Sequence, residues 1–188
     1  MAPRGRPRSF DREKALERLM EVFWSKGYEG TQVSDLTAAL NIGPPSFYAA
    51  FGSKEAAFLE AVDLYIATVG AGPMRALAEA PTAREGIRAM LRGSIDVALT
   101  AKPGGCMLIL GAAHGGPARN CLMAARRETV EHIRARLRRG IAEGELPAGP
   151  DLAAFYHGVM QAISHQARDG ATRPELEALI EPAMAALA

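Results

Sequence analysis

The sequence predicts an all-α protein with two domains, and three observations support this prediction. Apolar residues recur at i, i+3, i+4 and i+7 in successive segments, as they do along one face of a helix. Residues that cap helices, including the capping boxes at 82–85 and 172–175, precede several of these segments. Glycine and proline separate them, where helices commonly end. We therefore expect a basic flexible arm at residues 1–10, one helical domain at 11–69 and another at 70–188.

The first two helices of the N-terminal domain have clear boundary signals. Asp11 is placed to cap a first helix, which continues to Lys26 and ends at Gly27. Thr31 is a natural cap for a second helix, because its hydroxyl can accept a hydrogen bond from a free N–H of the first turn. The Asn-Ile-Gly sequence at 41–43 ends that helix, since Asn and Gly tolerate the left-handed conformation.

A short third helix and a longer fourth helix follow. Pro44 and Pro45 suit the first turn of a helix, where a missing N–H costs nothing, and that helix ends near Phe51. Ser53 is expected to cap the fourth helix, which continues to about Val69. A helix, a tight turn and a short second helix make a helix-turn-helix, whose second helix can enter a DNA major groove. The periodicity alone is equally compatible with an αα-hairpin that only packs a core.

The residue identities in this region are similar to those of one protein family. From Asp11 to Tyr65 the sequence resembles the DNA-binding domain of TetR-type bacterial transcriptional repressors. The matching residues are Phe23, Gly27, Tyr28, Thr31, Leu36, Ala39, Leu40, Ile42, Ser46, Phe47, Tyr48, Phe51, Ser53, Lys54 and Glu55. The resemblance implies an all-helical dimer with an N-terminal DNA-binding domain and a C-terminal domain for effector binding and dimerisation.

The same resemblance implies which side chains contact the DNA backbone. Tyr48 would place its hydroxyl on a phosphate, and Lys54 would neutralise another. Thr31 and Ser46 are further phosphate candidates, and helix N-termini would help because their free N–H groups favour phosphate. Such contacts position a protein on DNA, whereas contacts to bases specify the sequence.

Base reading would fall to residues with little hydrogen-bonding capacity, namely Ser34, Pro44, Pro45 and Ala49. This set departs from the richer polar patterns common in the family. It holds no Arg or Lys for guanine and no Asn or Gln for adenine, and Gln32 is the nearest amide. Sequence specificity is therefore weakly encoded, and readout by the arm or by DNA shape gains importance.

The N-terminal arm is rich in arginine. Residues 2–9 contain Arg4, Arg6 and Arg8 with two prolines and no acid, a composition that is disordered in isolation. Beside a helix-turn-helix, such an arm can follow phosphates or enter the adjacent minor groove, as arms do on other DNA-binding folds. The three arginines are thus candidate DNA contacts, although a solvated tail has the same composition.

The second domain is predicted to be helical throughout. The segment 70–81 contains two glycines and two prolines and marks the domain boundary. The apolar run at 106–113 is expected to be a buried helix, although its pattern fits a strand equally well. Longer helices are expected at 82–101, 118–143, 151–169 and 172–188.

The last two helices carry wide apolar faces, at 152–163 and 176–187. Two such helices from each of two chains would form a four-helix interface, and the family resemblance implies a homodimer of this kind. The alternative is that these faces cover only the core of their own domain.

Polarisable, aromatic and imidazole side chains of the second domain are candidates for a ligand pocket. Methionine fills irregular gaps and adapts to varied ligands. Plain core packing is the alternative for each of them. We predict an apolar effector pocket lined by Met90, Met107, Tyr156, His157 and Met160, with His165 nearby as a polar anchor.

Composition narrows the remaining function classes. The net charge of +1 does not by itself indicate a nucleic-acid binder, but binding needs only a local positive surface. Two cysteines do not make a disulfide framework, so a reduced, cytoplasmic setting is expected. No segment approaches about 18 uncharged apolar residues, so neither a transmembrane helix nor a membrane partner is expected.

Metal, cofactor and enzyme chemistry have little support in the sequence. Cys106, His114 and Cys121 lack the spacing of a zinc site, so neither a metal nor another cofactor is expected. No nucleophile elbow or phosphate loop occurs, which argues against an enzyme. Cys106 lies in an apolar run that predicts an inert thiol, whereas Cys121 is the better candidate for an oxidant-sensitive thiol because it lies near Arg119.

Together, the residues and the resemblance predict a dimeric DNA-binding transcriptional regulator. It is expected to be a repressor that a small-molecule effector releases from a palindromic operator in double-stranded DNA. The alternatives are a thiol-switched regulator, and a helical small-molecule-binding protein or enzyme without operator binding.

Overall fold

The computed structural model describes residues 11–100, 104–111 and 113–187. These residues form eleven helices and no β-strand, which confirms the all-α class. In chain order the helices are α1 Arg12–Gly30, α2 Val33–Leu40, α3 Pro44–Phe51, α4 Lys54–Ala67, α5 Ala71–Glu79, α6 Ala83–Thr100, α7 Met107–Leu110, α8 Gly116–Ala142, α9 Ala153–Arg168, α10 Arg173–Glu177 and α11 Ile180–Ala185.

The first four helices begin and end close to the predicted residues. The Asp11 carboxylate accepts a hydrogen bond from the N–H of Lys14, and the Ser53 hydroxyl accepts one from Ala56, so both predicted caps are confirmed. Asn41 adopts the left-handed conformation that ends α2, with φ of 51°. Gly27 breaks the helical conformation within α1, with φ of 69° and ψ of 173°.

Thr31 does not cap α2, and this prediction is wrong. Its side chain is buried, and its hydroxyl donates a hydrogen bond of 2.6 Å to the carbonyl oxygen of Gly27. The kink at Gly27 turns the chain so that this hydroxyl faces the interior and closes the end of α1. Gln32 precedes α2 instead, and its backbone N–H donates to the Asp35 carboxylate at 2.8 Å.

The second domain differs from its predicted outline at helix α5 and at the last predicted helix, 172–188, which is divided into α10 and α11. The predicted boundary segment 70–81 contains helix α5, because Pro73 falls in its first turn, where proline is tolerated. Leu77 on α5 is buried and belongs to the core of the second domain. The apolar run at 106–113 contains the single helical turn α7, which favours a helix over a strand.

Two hydrophobic cores stabilise the fold. One lies among α6, α8, α9 and α11 and includes Met90 and Tyr156. The other lies beneath α1, α3 and α4, where the rings of Phe23 and Phe58 meet edge to face with centroids 5.1 Å apart. This second core also contains Met107 of α7, together with Ala118 and Leu122 of α8. The helix-turn-helix is therefore packed directly against the following domain.

Gly86 allows α5 and α6 to approach closely. A Cβ atom at this position would lie 2.8 Å from the carbonyl oxygen of Leu77, which is too close for a real contact. We expect Gly86→Ala to lower the free energy of unfolding by about 1–3 kcal/mol, because the two helices must separate. Urea denaturation followed by circular dichroism measures this change.

Gly72→Ala is the matched control for this prediction. Gly72 lies in α5 with no atom within 4 Å of the added methyl group, so we expect it to be neutral or stabilising by up to about 1 kcal/mol. If Gly86→Ala were as stable as Gly72→Ala, close approach at Gly86 would have no energetic importance.

Candidate functional site

Helices α2 and α3 form an exposed surface. Phe47 and Phe51 are buried and hold α3 against the core from inside. The opposite side of α3 is therefore free to meet a partner. The exposed residues of these helices include most of the predicted DNA contacts, namely Gln32, Ser34, Pro44, Pro45, Ser46, Tyr48 and Ala49.

Tyr48 has the geometry expected of a side chain that contacts DNA. It is 48% exposed, and its ring lies edge to face against Phe47 with centroids 5.5 Å apart. Its hydroxyl has no hydrogen-bond partner among the described residues. The contact with Phe47 orients the ring, while the hydroxyl remains available to an acceptor outside the protein.

Lys54 is engaged within the protein. Its ammonium donates to the carbonyl oxygens of Tyr28 and Thr31, each at 2.9 Å, and lies 4.1 Å from the centroid of the Tyr28 ring. These contacts join the start of α4 to the turn between α1 and α2. A lysine ammonium has three N–H donors, so one remains for a phosphate. The role of Lys54 in positioning the turn was not predictable from the sequence.

The structure does not support phosphate binding by the Thr31 hydroxyl or by the N-terminus of α3. The Thr31 hydroxyl is buried and bonded to Gly27, so it is not offered to a ligand. The N-terminus of α3 begins with Pro44 and Pro45, which have no N–H, and the N–H of Ser46 donates to Gly43. This helix end therefore lacks the free donors that bind phosphate elsewhere.

The predicted arm contacts Arg4, Arg6 and Arg8 lie outside the described residues. Asp11 is the first residue that the structure describes. The exposed groups that α2 and α3 contribute to this surface are mostly hydroxyl, amide and apolar groups.

A cavity between α4 and the helices of the second domain is the candidate ligand site. It lies among α4, α5, α6, α7, α8 and α9. The cavity volume is about 50 Å³, and the empty space reaches about 560 Å³ only when the solvent in its open mouth is included. Its lining is mostly apolar with a few polar groups, which is the usual character of a small-molecule site. The lining includes Tyr65, Met74, Cys106, Arg126, His157 and Met160.

The structure brings two of the five predicted ligand residues to this cavity, His157 and Met160. Met90 and Met107 are fully buried core residues that do not line it. Tyr156 is also buried, and its hydroxyl donates to the carbonyl oxygen of Ala183 at 3.0 Å. Helical spacing identifies an inward face, but it does not separate a face that lines a cavity from one that fills a core.

His165 does not contribute a polar anchor, because its side chain is exposed and does not line the cavity. His157 is half-buried, and burial and the nearby Arg126 guanidinium lower its pKa. The imidazole therefore stays neutral near pH 7 and can both donate and accept a hydrogen bond.

Sequence reasoning missed several polar groups of the cavity wall. The Tyr65 hydroxyl donates to the Cys106 thiol at 3.2 Å, and the backbone N–H of Cys106 donates to the Ser164 hydroxyl at 2.7 Å. The Arg126 guanidinium donates to the carbonyl oxygens of Leu108 and Ile109, at 2.6 and 3.0 Å. Tyr65 lies among apolar residues at helical spacing and Arg126 lies in an arginine-rich segment, so neither pattern indicates a cavity wall.

The two thiols occupy different surroundings. Cys121 is half-buried, and burial together with the Asp63 carboxylate raises the pKa of its thiol. A raised pKa reduces the thiolate fraction, which argues against Cys121 as an oxidant sensor. Cys106 lies on the cavity wall, in contact with Tyr65.

Within the described residues, no three His, Cys, Asp or Glu side chains are grouped so as to hold a metal ion.

Comparisons with known proteins agree with this geometry. The family model for bacterial regulatory proteins of the tetR family matches residues 15–61. The HTH-type transcriptional repressor ComR from Escherichia coli (strain K12) is 33% identical over 182 residues, covering 92% of this chain and 87% of the relative.

Solved structures are similar over nearly the whole chain. The TetR family transcriptional regulator CifR, solved as a cysteine mutant with 26-base-pair double-strand operator DNA, is 44% identical with a TM-score of 0.90. That match covers 97% of this chain and 100% of the CifR chain. A TetR transcriptional regulator from Chloroflexus aurantiacus J-10-FL is 28% identical with a TM-score of 0.74, covering 94% and 91% of the two chains. None of the helices in the described part of this chain is long and apolar enough to cross a membrane.

The contrast between Tyr48 and Lys54 is testable. Tyr48→Phe removes an exposed hydroxyl, so we expect an unchanged melting temperature and about tenfold weaker binding to DNA from upstream of its own coding region. Lys54→Ala should weaken DNA binding and also lower the free energy of unfolding by about 1 kcal/mol, because two carbonyl groups lose a donor. Fluorescence anisotropy and thermal denaturation measure the two effects.

The dependence of DNA affinity on salt gives the control. Lys54→Ala should reduce the slope of log affinity against log salt by about 1 per half-site if its remaining N–H reaches a phosphate. An unchanged slope with a lowered melting temperature would assign Lys54 to the turn alone. Unchanged affinity in Tyr48→Phe would remove Tyr48 from the interface.

Proposed function

Because the chain belongs to the tetR family of bacterial regulatory proteins and is a DNA-binding transcriptional regulator, we propose that it is a dimeric repressor. A small, largely apolar molecule releases it from its operator. The family consists of regulators and not enzymes, so the cavity is assigned to binding and not to catalysis. Three features support the proposal: the exposed face of α3, the cavity, and the contacts that join them.

The observation that carries the proposal is the exposed face of α3. Phe47 and Phe51 anchor this helix, so that Tyr48 and Ala49 project outward, as a recognition helix requires. CifR was solved with operator DNA, and ComR is a repressor by name. A two-fold dimer would present two copies of α3 to successive major grooves, which favours a palindromic operator.

Contacts between the cavity and α1 support release by a ligand. Tyr65 borders the cavity, and its ring meets Trp24 of α1 with centroids 5.0 Å apart. The Arg168 guanidinium of α9 donates to the carbonyl oxygens of Trp24 and Gly104, at 3.2 and 3.1 Å. A ligand that displaces α4 or α9 therefore also moves α1, against which α2 packs.

Release then follows from a population shift. The effector binds more tightly to a conformer whose two reading helices no longer match successive major grooves, and so increases the fraction of that conformer. By linkage, the same effector must bind less tightly to the complex with DNA.

We assign dimerisation to the C-terminal helices, mainly to the outer face of α9. Phe155 is 45% exposed there, and Val159 and Ala162 follow it at helical spacing and are half-buried. Met184 and Leu187 contribute less, because both are buried in the core of their own protomer. An exposed aromatic residue with apolar neighbours is typical of a protein interface.

Phe155→Glu tests this assembly. A charge on the outer face of α9 should give a folded monomer with strongly reduced operator affinity, since one half-site then binds alone. Sedimentation velocity at micromolar concentration measures the mass, and circular dichroism checks the fold. Ala154→Glu, at an exposed neighbouring position on α9, is the control and should remain dimeric. A dimer in Phe155→Glu would move the interface elsewhere.

Filling the cavity tests the sensing role. Met160 lines the cavity and is 9% exposed, so the larger side chain of Met160→Trp should occupy the empty space. The variant should lose the rise in melting temperature that an apolar ligand produces and should still bind the operator. Val97→Phe on α6 fills the cavity from another helix and serves as a second variant in case Met160→Trp does not fold.

The thiol-switch hypothesis predicts the opposite pattern. Cys121→Ala would then remove release by peroxide, and Met160→Trp would not change it. DNA release measured for both variants, against a panel of apolar ligands and against peroxide, separates the two mechanisms. If neither stimulus released DNA from the unmodified protein, both sensing hypotheses would be wrong.

A further inference from the structure

The cavity adjoins a groove between α5 and α8 and shares wall residues with it. Met74, Leu108 and Thr129 line the cavity and also the first part of this groove. Met74 lines the next part as well, together with Arg75 and His132, so the adjoining parts share wall residues along the two helices. We call this row of adjoining hollows the α5–α8 groove.

The far end of the α5–α8 groove is positively charged. Arg75, His132, Arg136 and Arg139 line it, and no acidic side chain of the described chain joins them there. The acidic residue Glu128 lines the part nearer the cavity. Arg75 is exposed and has no ion-pair partner among the described residues, and the Arg139 guanidinium lies 3.9 Å from the Glu143 carboxylate, at the limit of an ion pair.

Arg136 adds a buried charge with unused donors. Its side chain is 3% exposed, and its Nη1 lies 3.6 Å from the Glu145 carboxylate. That carboxylate also accepts the N–H of Ala83 at 2.5 Å, while Arg136 Nη2 donates to Ala80 at 3.3 Å. Within the described structure, Nε and Nη1 of Arg136 have no hydrogen-bond partner. A buried cation that is partly satisfied favours a nearby anion strongly, because the surrounding dielectric is low.

The positions along α8 set the distance between the apolar and the charged ends. Thr129 lines the cavity, and Arg136 and Arg139 line the far end of the groove on the same helix. At 1.5 Å of rise per residue, these two arginines lie roughly 10–15 Å from Thr129 along the helix axis. A ligand that reaches both ends is therefore elongated.

We propose that the effector is an elongated amphiphilic anion. Its apolar end occupies the cavity, and its terminal carboxylate or phosphate lies between Arg75 and Arg139. This inference rests on the proposed effector function. Met74 lines every part of the path and contacts the apolar chain where it leaves the cavity. Glu128 repels an anionic group placed too near the cavity, and the Arg126 guanidinium on the cavity wall already donates to three carbonyl oxygens, so compounds with short chains bind weakly.

Probes of matched length and different head charge test the ligand class. Dodecanoate, below its micelle concentration, should bind the full-length protein in isothermal titration, raise its melting temperature and release operator DNA. Dodecanol and dodecyltrimethylammonium, with the same chain and a neutral or cationic head, should bind at least about tenfold more weakly, since hydrogen bonds to charged groups are worth this much. Hexanoate is too short to reach both ends and should not bind.

The double variant Arg75→Gln with Arg139→Gln tests the head-group site. We expect its affinity for dodecanoate to fall roughly three- to tenfold, with no change in melting temperature without ligand, because both side chains are exposed. Arg138→Gln is the matched control, since Arg138 is an exposed neighbour on α8 that does not line the groove. Its affinity should equal that of the unmodified protein.

The outcomes separate this inference from the proposed function. Equal binding of all three long-chain probes, or undiminished dodecanoate affinity in the double variant, would overturn the anionic ligand class. If those probes still released operator DNA and Met160→Trp abolished the response, the effector function would stand without it. If no long-chain probe bound, the amphiphile would be wrong, and the effector function would depend on the panel of compact apolar ligands.

Discussion

The relation between the two halves of the molecule depends on the packing of the last turns of α4. Tyr65 is 1% exposed, its ring meets Trp24, and its hydroxyl donates to the Cys106 thiol. Burial and the neighbouring thiol raise the pKa of this hydroxyl, so it remains a neutral donor. One side chain therefore belongs both to the core beneath α1 and to the wall of the cavity. Neither region can rearrange without the other, because close-packed interiors transmit small displacements.

The lysine that begins α4, close to α3, contributes to folding. Lys54 holds the turn before α2 through two carbonyl groups, and the first two residues of α3, Pro44 and Pro45, supply no N–H. The surface formed by α2 and α3 thus has few donors for either phosphates or bases. Recognition of a sequence by DNA shape and deformability fits such a surface better than a pattern of direct hydrogen bonds.

The sequence predicted local features such as helix caps better than it predicted which side chains face a cavity or the interior. Asp11 and Ser53 cap their helices as predicted, because a cap depends on a few neighbouring residues. Thr31 was misassigned, since the kink at Gly27 turns its hydroxyl inward. Met90 was misassigned for a related reason: a buried methionine has the same sequence pattern whether its neighbours fill the space or leave a cavity. Arg126 shows the converse, because an arginine in a charge-rich helix gives no sign that it faces the interior.

The shared core beneath α1 and α4 limits how the protein can be divided. Met107, Ala118 and Leu122 lie far along the chain, yet they complete the hydrophobic core of the helix-turn-helix. Hybrid biosensors are built by joining the operator-reading part of one regulator to the sensing part of another. A junction at residue 70 in this chain would separate the operator-reading part from these three side chains and leave an apolar surface facing a foreign partner. A working chimera would have to carry α7 and the first turns of α8 with the N-terminal part, or rebuild their contacts in the new partner.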